Sequence, residues 1–369
     1  MEPNGIGLRE ALLTDVKTGL SAFRDRINPL LREHFDTAIA EAAKEDELVA
    51  EAIGSVRDLV LAGGKRLRAA LMCAGYFAAG GTDEQRILRT SMSVEFVHAF
   101  LLVHDDVIDR DDLRHGTETV HARYARYGKS VFHRPEDAAH FGDSVAIIVG
   151  DLVAALGNDL VFRSGFPNER VFRALSELQR IVSYTVIGQA MDLSFEFRSG
   201  IGREDVLRMY EYKTAKYTVE GPLVLGALLA GGDEELIAAL RSYAVPIGVA
   251  FQIRDDILGA FGTEEKLGKP VGSDVEEGKR TLPVLFALER ASKVQRAGLE
   301  RILSAGSVDA DDLERFRSIL RDTGALDLTT DSMLELVREG KRPIASPRVP
   351  EDARRFLVSM ADYISERNF

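Results

Sequence analysis

Residues 96–114 read FVHAFLLVHDDVIDRDDLR, an apolar run that leads straight into Asp105, Asp106 and Asp109. The apolar period before them is that of a helix, spanning 84–107. On a helix Asp105 and Asp109 stand one above the other, and Asp106 lies about 100° around the axis. Like charges crowded at the end of a buried helix face cost stability unless a cation neutralises them. A second pair, Asp255-Asp256, follows the apolar Val249-Ala250-Phe251 and stands one turn after Gln252. Carboxylates without His or Cys suit a hard, oxygen-seeking cation, Mg²⁺ first. Mg²⁺ held by few carboxylates usually also holds substrate phosphates. The competing reading is a pair of solvated acidic helix ends. Two such clusters accompanied by basic motifs weigh against it.

Working outward, helical periodicity continues nearly throughout. Segments 8–25, 28–53, 84–107, 143–162, 169–198, 203–230, 234–260, 281–303, 309–323, 325–340 and 351–366 read as helices. Thr82 and Asp83 ahead of Glu84-Gln85, and Asp233 ahead of Glu234-Glu235, are N-cap signals. No run of alternating β-branched residues with hairpin turns stands out. Pro222 and Pro246 fall inside apolar periodic stretches and are expected to kink or restart a helix. Residues 122–142 read as an exposed loop or short helix, and 261–280 as a long Gly-rich loop of the functional kind. No low-complexity linker divides the chain. The expectation is one large all-α domain, residues 28–369, preceded by an N-terminal helical extension over 1–27.

Composition narrows the function. The net charge of −12 argues against a general nucleic-acid binder. Cys73 is the only cysteine, which removes any intramolecular disulfide or Cys-based zinc site and fits a reducing cytoplasm. The opening MEPNGIGLRE lacks a basic region followed by an apolar core, so no secretory signal is expected. No apolar run is expected to reach the roughly 18 residues of a membrane span, because Lys65, Arg66, Arg68 and Asp151 break the best candidates.

Basic residues balance the aspartates locally. Gly63-Gly64-Lys65-Arg66-Leu67-Arg68 combines glycines that admit close backbone approach with side chains that bind phosphate. It is not a Walker loop, and taken alone its default reading is a surface turn. Lys213-Thr214 sits mid-helix between Tyr212 and Tyr217, where a lysine is usually solvated. Lys269 and Lys279 punctuate the long loop around Asp274. His98 lies two turns before Asp105 on about the same face, and a lone His there is more often core than ligand. Gln189 and Asp192 form a polar pair one turn apart in an apolar helix, and such a pair needs partners.

Taken together and in this order, these motifs resemble the trans-isoprenyl diphosphate synthases over roughly residues 28–365. GGKRLR resembles that family's isopentenyl diphosphate motif. His98 with Leu101-Leu102-Val103-His104-Asp105-Asp106-x-x-Asp109 resembles its first aspartate-rich motif. Gly150-Asp151, Gly188-Gln189 through Asp192, and Lys213-Thr214 match further motifs. Phe251-Gln252-x-x-Asp255-Asp256, with Gly268-Lys269-Pro270, Asp274 and Gly278-Lys279, resembles the second motif and its trailing loop. The resemblance implies an isoprenoid synthase fold of antiparallel helices around a central cavity, usually as a homodimer. It implies Mg²⁺, three ions per active site, on Asp105, Asp109 and Asp255, with Asp106 and Asp256 completing the catalytic clusters. It implies that Arg114, Lys213 and Lys269 grip the allylic diphosphate and that Lys65, Arg68, His98 and His115 hold isopentenyl diphosphate. Gln189, Thr214, Gln252 and Lys279 complete the substrate-binding set.

Three departures stand out. His115 replaces the second arginine of the usual Arg-Arg-Gly, with a shorter and only partly charged side chain. Gly259 stands where many members carry a third aspartate, so Asp255 and Asp256 are expected to suffice. The 122–142 segment looks longer than the usual connection. By the same resemblance, Phe100, five residues before Asp105, with the non-aromatic Leu101 after it, looks like the geranylgeranyl (C20) type. Farnesyl (C15) is the second choice. A class I terpene cyclase would normally lack GGKRLR, and a non-catalytic partner subunit would be expected to lose metal ligands. An all-α phosphohydrolase of the HD type would need more His ligands than His104-Asp105 supplies.

Overall fold

The computed structural model describes residues 7–14, 16–114, 116–198, 200–262 and 272–366. Helices dominate both of its compact units. The first, Met1–Leu175 with Leu225–Gly231, holds α1 (Leu8–Thr14), α2 (Val16–Ala42), α3 (Glu47–Ala62), α4 (Leu67–Ala78) and α5 (Glu84–Asp109). A two-residue antiparallel ladder, β1 (Leu113–Arg114) with β2 (Thr117–Glu118), leads to α6 (Val120–Val131) and α7 (Ala138–Phe162). The second unit is Ser176–Val224 with Gly232–Phe369. α8 (Asn168–Glu196) contributes to both units. Then come α9 (Arg203–Tyr210), a π-helical segment (Glu211–Glu220), α10 (Gly221–Ala230) and α11 (Glu234–Phe261). α12 (Ser273–Glu276), α13 (Leu282–Arg290), α14 (Lys293–Leu303), α15 (Ala310–Asp322), α16 (Ala325–Lys341) and α17 (Glu351–Glu366) complete the described chain.

The expected caps are in place. Asp83 accepts the Arg86 N–H at the start of α5, and Asp233 accepts the Leu236 N–H at the start of α11. Other boundaries differ from the sequence reading for local reasons. The expected helix 28–53 is two, because residues 43–46 turn and Asp46 caps α3 by accepting from Val49. The chain does not break near residue 27; α2 runs through it, with Pro29 inside the helix. α4 escaped detection because it has no polar face: Leu67 and Ala69 through Ala78 are all buried, and a helix apolar all round leaves no 3.6-residue contrast. Cys73 lies in it, fully buried. Segment 281–303 breaks at Ala291-Ser292, where Ser292 and Gln295 form a capping box.

The largest difference is at 122–142, expected as a loop or short helix. It is mostly the end of α6, a single 3₁₀ turn and the start of α7. Only Val120, His121, Tyr124 and Gly128 of α6 are buried, a stripe too thin to register beside its arginines. Phe141 gathers the rings of Tyr124, Tyr127 and Phe132, the last at 4.8 Å. Gly142 lets the helices touch, since a Cβ there would lie 2.2 Å from the His121 carbonyl oxygen.

Contrary to expectation, two helices are long and apolar enough to cross a membrane by length and composition, Pro135–Phe162 and Glu234–Phe261. Their few charges do not lower the average enough to exclude them. Long core helices meet the same criterion, and 61% of the second helix's apolar window is buried within the protein.

Candidate active site

α5 stops at Asp109 because Arg110, its C-cap, adopts a left-handed conformation, φ 59°. The N–H groups of Arg110 and Asp111 both return to the Asp106 carbonyl. Three carboxylates therefore sit in the last turn of a helix, where the macrodipole already carries negative charge. Asp106 turns inward and is 1% exposed. It accepts a 2.5 Å bond from Arg114 Nε, and Arg114 also reaches Asp111 at 3.3 Å. Burial pushes the Asp106 carboxyl up to about 7, against the opposing pull of Arg114. Asp105, with 24% of its side chain exposed, lies 3.9 Å from the same guanidinium. Adjacent aspartates thus have separate tasks: Asp106 anchors Arg114, and Asp105 with the half-buried Asp109 keeps access to solvent.

Within GGKRLR the three cations also part company. Gly64 has φ 95° and Arg66 φ 56°, a tight left-handed turn into α4. Arg66 is buried, donating to Asn28 Oδ1 at 2.8 Å and to the Val60 carbonyl at 2.6 Å, with Glu95 at 3.3 Å. Glu95 in turn accepts the Ala69 N–H at the start of α4. Lys65 is exposed and Arg68 half-buried. His98 and Leu101 are half-buried on α5. Phe100, 8% exposed, meets the His104 ring edge-on at 5.7 Å. His104 Nε2 lies 3.1 Å from the Ile147 carbonyl oxygen. A Cβ on Gly150 would sit 2.3 Å from that nitrogen, so the glycine of Gly150-Asp151 makes room for the imidazole.

In the second unit, Lys213 and Thr214 lie in the π segment, not in a regular α-helix. Pro222, just past the segment, offers no N–H and crowds the carbonyl four residues back, which favours a departure from α winding. Lys213 Nζ lies 2.5 Å from Asp192 Oδ2, which gives the polar residue of α8 its partner. Gly188 packs on the Lys213 backbone, where a Cβ would come within 2.2 Å of its nitrogen. Gln189 is half-buried on the same helix. Thr214 Oγ1 donates to Gln252 Oε1 at 2.7 Å, and Gln252 Nε2 donates to Asp256 Oδ1 at 2.9 Å. Asp256 is 5% exposed and also accepts from the Tyr210 hydroxyl, which itself accepts the Leu282 N–H at 2.9 Å. Burial pushes Asp256 up to about 8, partly offset by the Tyr210 and Gln252 bonds. Asp255 stays half-exposed. The division seen at Asp105-Asp106 recurs: the second aspartate is a buried acceptor, and the first is left accessible.

Carboxylates paired one turn apart, with no imidazole or thiolate among them, fit a hard divalent cation. Among the described residues no three His, Cys, Asp or Glu side chains gather into a cage. Mg²⁺ does not need one, because it completes its octahedron with water and phosphate oxygens.

Residues 50–320 match the model of the polyprenyl synthetase family. The chain belongs to this family. Among its relatives, a geranylgeranyl pyrophosphate synthase of Geoglobus acetivorans is 32% identical, over 96% of this chain and 98% of that protein. A geranylfarnesyl diphosphate synthase of Natronomonas pharaonis is 33% identical, over 91% and 99%. A solved geranylgeranyl pyrophosphate synthase of Corynebacterium glutamicum, complexed with isoprenyl diphosphate and magnesium, superposes with a TM-score of 0.89 at 32% identity. It covers 95% of this chain and is itself covered to 99%. The polyprenyl synthetase fold is all-α, as expected, and the protein is a prenyltransferase.

Within this polyprenyl synthetase, Lys279 lies 3.9 Å from Asp274 and also contacts Glu277. The space a side chain at Gly259 would take is shared with Asp274, whose Oδ2 lies 3.0 Å from the Cβ position. A carboxylate therefore stands close to the position of the missing third aspartate, delivered from α12. His115 and Lys269 lie outside the described residues. Two supporting roles are not legible in the sequence: Arg66, grouped there with the phosphate-binding cations, is a buried structural residue, and Tyr210 holds Asp256. Arg66 is flanked by cations and differs from them only through Glu95, 29 positions away. Tyr210 follows an apolar helix face as any core tyrosine does, and its partner Asp256 lies on α11.

Proposed function

We propose that this prenyltransferase joins isopentenyl diphosphate to an allylic diphosphate head to tail and releases a short trans-prenyl diphosphate, the C20 geranylgeranyl product first. The observation that supports it best is the repeated pairing of one accessible aspartate with one buried neighbour that anchors a basic or amide side chain. The allylic C–O bond breaks, pyrophosphate leaves, and the carbocation is captured by the double bond of isopentenyl diphosphate. Mg²⁺, three ions per site, would be held by Asp105, Asp109 and Asp255 and would neutralise the leaving group as its charge develops. Arg114, Lys213 and Lys269 add fixed positive charge there, and Lys279 belongs to the same substrate-binding set. Lys65, Arg68, His98 and His115 hold isopentenyl diphosphate against the cation, a proximity role. Gln189 and the Thr214 region stabilise the cation, Gln252 completes the substrate-binding set, and the departing pyrophosphate takes the proton. A homodimer acting in the cytoplasm belongs to the same reading, and sedimentation equilibrium reports the first part.

Phe100 supports C20, because a phenyl ring five residues before Asp105 blocks a longer tail. A C25 product is the second reading, favoured by the name of the Natronomonas relative; C15 is the third. Purified protein with Mg²⁺, isopentenyl diphosphate and C5, C10 or C15 primers should give mainly C20, resolved by chain length. Failure to elongate any primer would refute the synthase reading.

A further inference from the structure

The π segment Glu211–Glu220 begins and ends on a glutamate, and one lysine near its middle holds both. Lys216 Nζ lies 2.9 Å from Glu211 Oε1 and 2.9 Å from Glu220 Oε2. The Gly221 N–H bonds to the Lys216 carbonyl, the five-residue step of a π-helix. The ammonium also stands 5.5 Å over the Tyr184 ring, which meets Tyr212 edge-on at 4.9 Å. Glu220 is buried and receives Arg180 at 2.6 Å and Arg241 as well. The same two arginines clasp Glu177, Arg180 at 2.7 Å and Arg241 at 2.8 Å. Glu177, Glu211 and Glu220 thus balance Arg180, Lys216 and Arg241, so no net charge is buried with them.

We infer that Lys216 is a positioning residue for the transfer reaction, the staple that holds the π winding and so sets the direction of Lys213 and Thr214. π winding is rare and clusters at functional sites; here it is held by six charged side chains. Gly188 and Gly248 press the neighbouring helices onto the backbone of Lys213 and Ala215, leaving no slack for a shift in register. Relaxation to an α-helix would re-aim Lys213 away from Asp192 and Thr214 away from Gln252. This inference rests on the prenyltransferase reading of Lys213, and it assigns to a residue outside the family motifs a share in diphosphate recognition.

The test uses the full chain with Lys216→Met, which keeps the stem and removes the charge, and Lys216→Arg, which keeps it. Two readouts are taken: steady-state kinetics with each substrate varied, and calorimetric binding of inorganic pyrophosphate in Mg²⁺. Lys216→Met should raise KM for the allylic diphosphate and weaken pyrophosphate binding by tenfold or more. KM for isopentenyl diphosphate should stay within twofold, and Lys216→Arg should recover most of the loss. Wild-type pyrophosphate affinity in Lys216→Met overturns the inference, as does an equal rise in both KM values. Should Lys216→Met not fold, Glu211→Gln, which cuts one arm of the staple, is held to the same outcomes. A wild-type chain that binds pyrophosphate but elongates no primer would count against the synthase reading, and the binding comparison would still judge Lys216.

Discussion

Asp105 and Asp106 are neighbours in sequence and opposites in environment, and this sets what their replacement does. Asp105→Ala removes an accessible carboxylate from a helix end that repels it. Turnover should fall by several orders of magnitude, since leaving-group stabilisation of this kind is worth several kcal/mol. The melting temperature should hold or rise. Near-normal turnover in excess Mg²⁺ would rule out the assignment. The proposed chain-length residues are tested by product length. Phe100→Ala should lengthen the product and Leu101→Phe should shorten it toward C15, both read by chain-length chromatography; an unchanged distribution in both would place the floor elsewhere. At this scale residue types and spacing were legible, because charge and chemistry are written in each letter. Which of two adjacent aspartates turns inward was not, because it depends on Arg114 and Tyr210 arriving from other elements.

At the scale of elements, helices with one apolar and one polar face were readable, and those without that contrast were not. α11 and α17 came within a residue of their reading, whereas the wholly buried α4 and the thin-striped α6 were missed. The π segment has no signature beyond Pro222, because its winding is held by side chains from α8 and α11. The seam between α2 and α5 carries its own pH dependence. His34 meets Phe96 edge-on at 5.2 Å, and its buried Nε2 has no hydrogen-bond partner among the described residues. Burial holds its pKa below the usual value, with Asp159 and Glu33 opposing. The unfolded chain therefore binds the proton more readily than the folded one. Stability should be full above about pH 6.5 and decline as pH falls below it. Melting curves at pH 7.5 and 5.5 should show this drop in the wild type and a smaller one in His34→Leu. An identical drop in both would assign the dependence to other groups.

Over the whole molecule, the all-α class followed from periodicity and the absence of strand signals. Its division into two compact units did not, because no linker marks it and α8 and α10 contribute to both. One consequence of the sealed α4 reaches beyond packing. Cys73 is the chain's only thiol, wholly buried, and burial raises its pKa to about 12. Alkylating reagents attack thiolates, so at neutral pH the native protein offers them no target. Labelling then requires this core to open, and its slow rate counts openings. The protein thus carries a built-in clock of its own breathing. Adding Mg²⁺ and pyrophosphate should slow iodoacetamide uptake, followed by intact mass, if the ligands stabilise the closed form. An unaltered rate at saturating ligand would show that this core opens independently of the site.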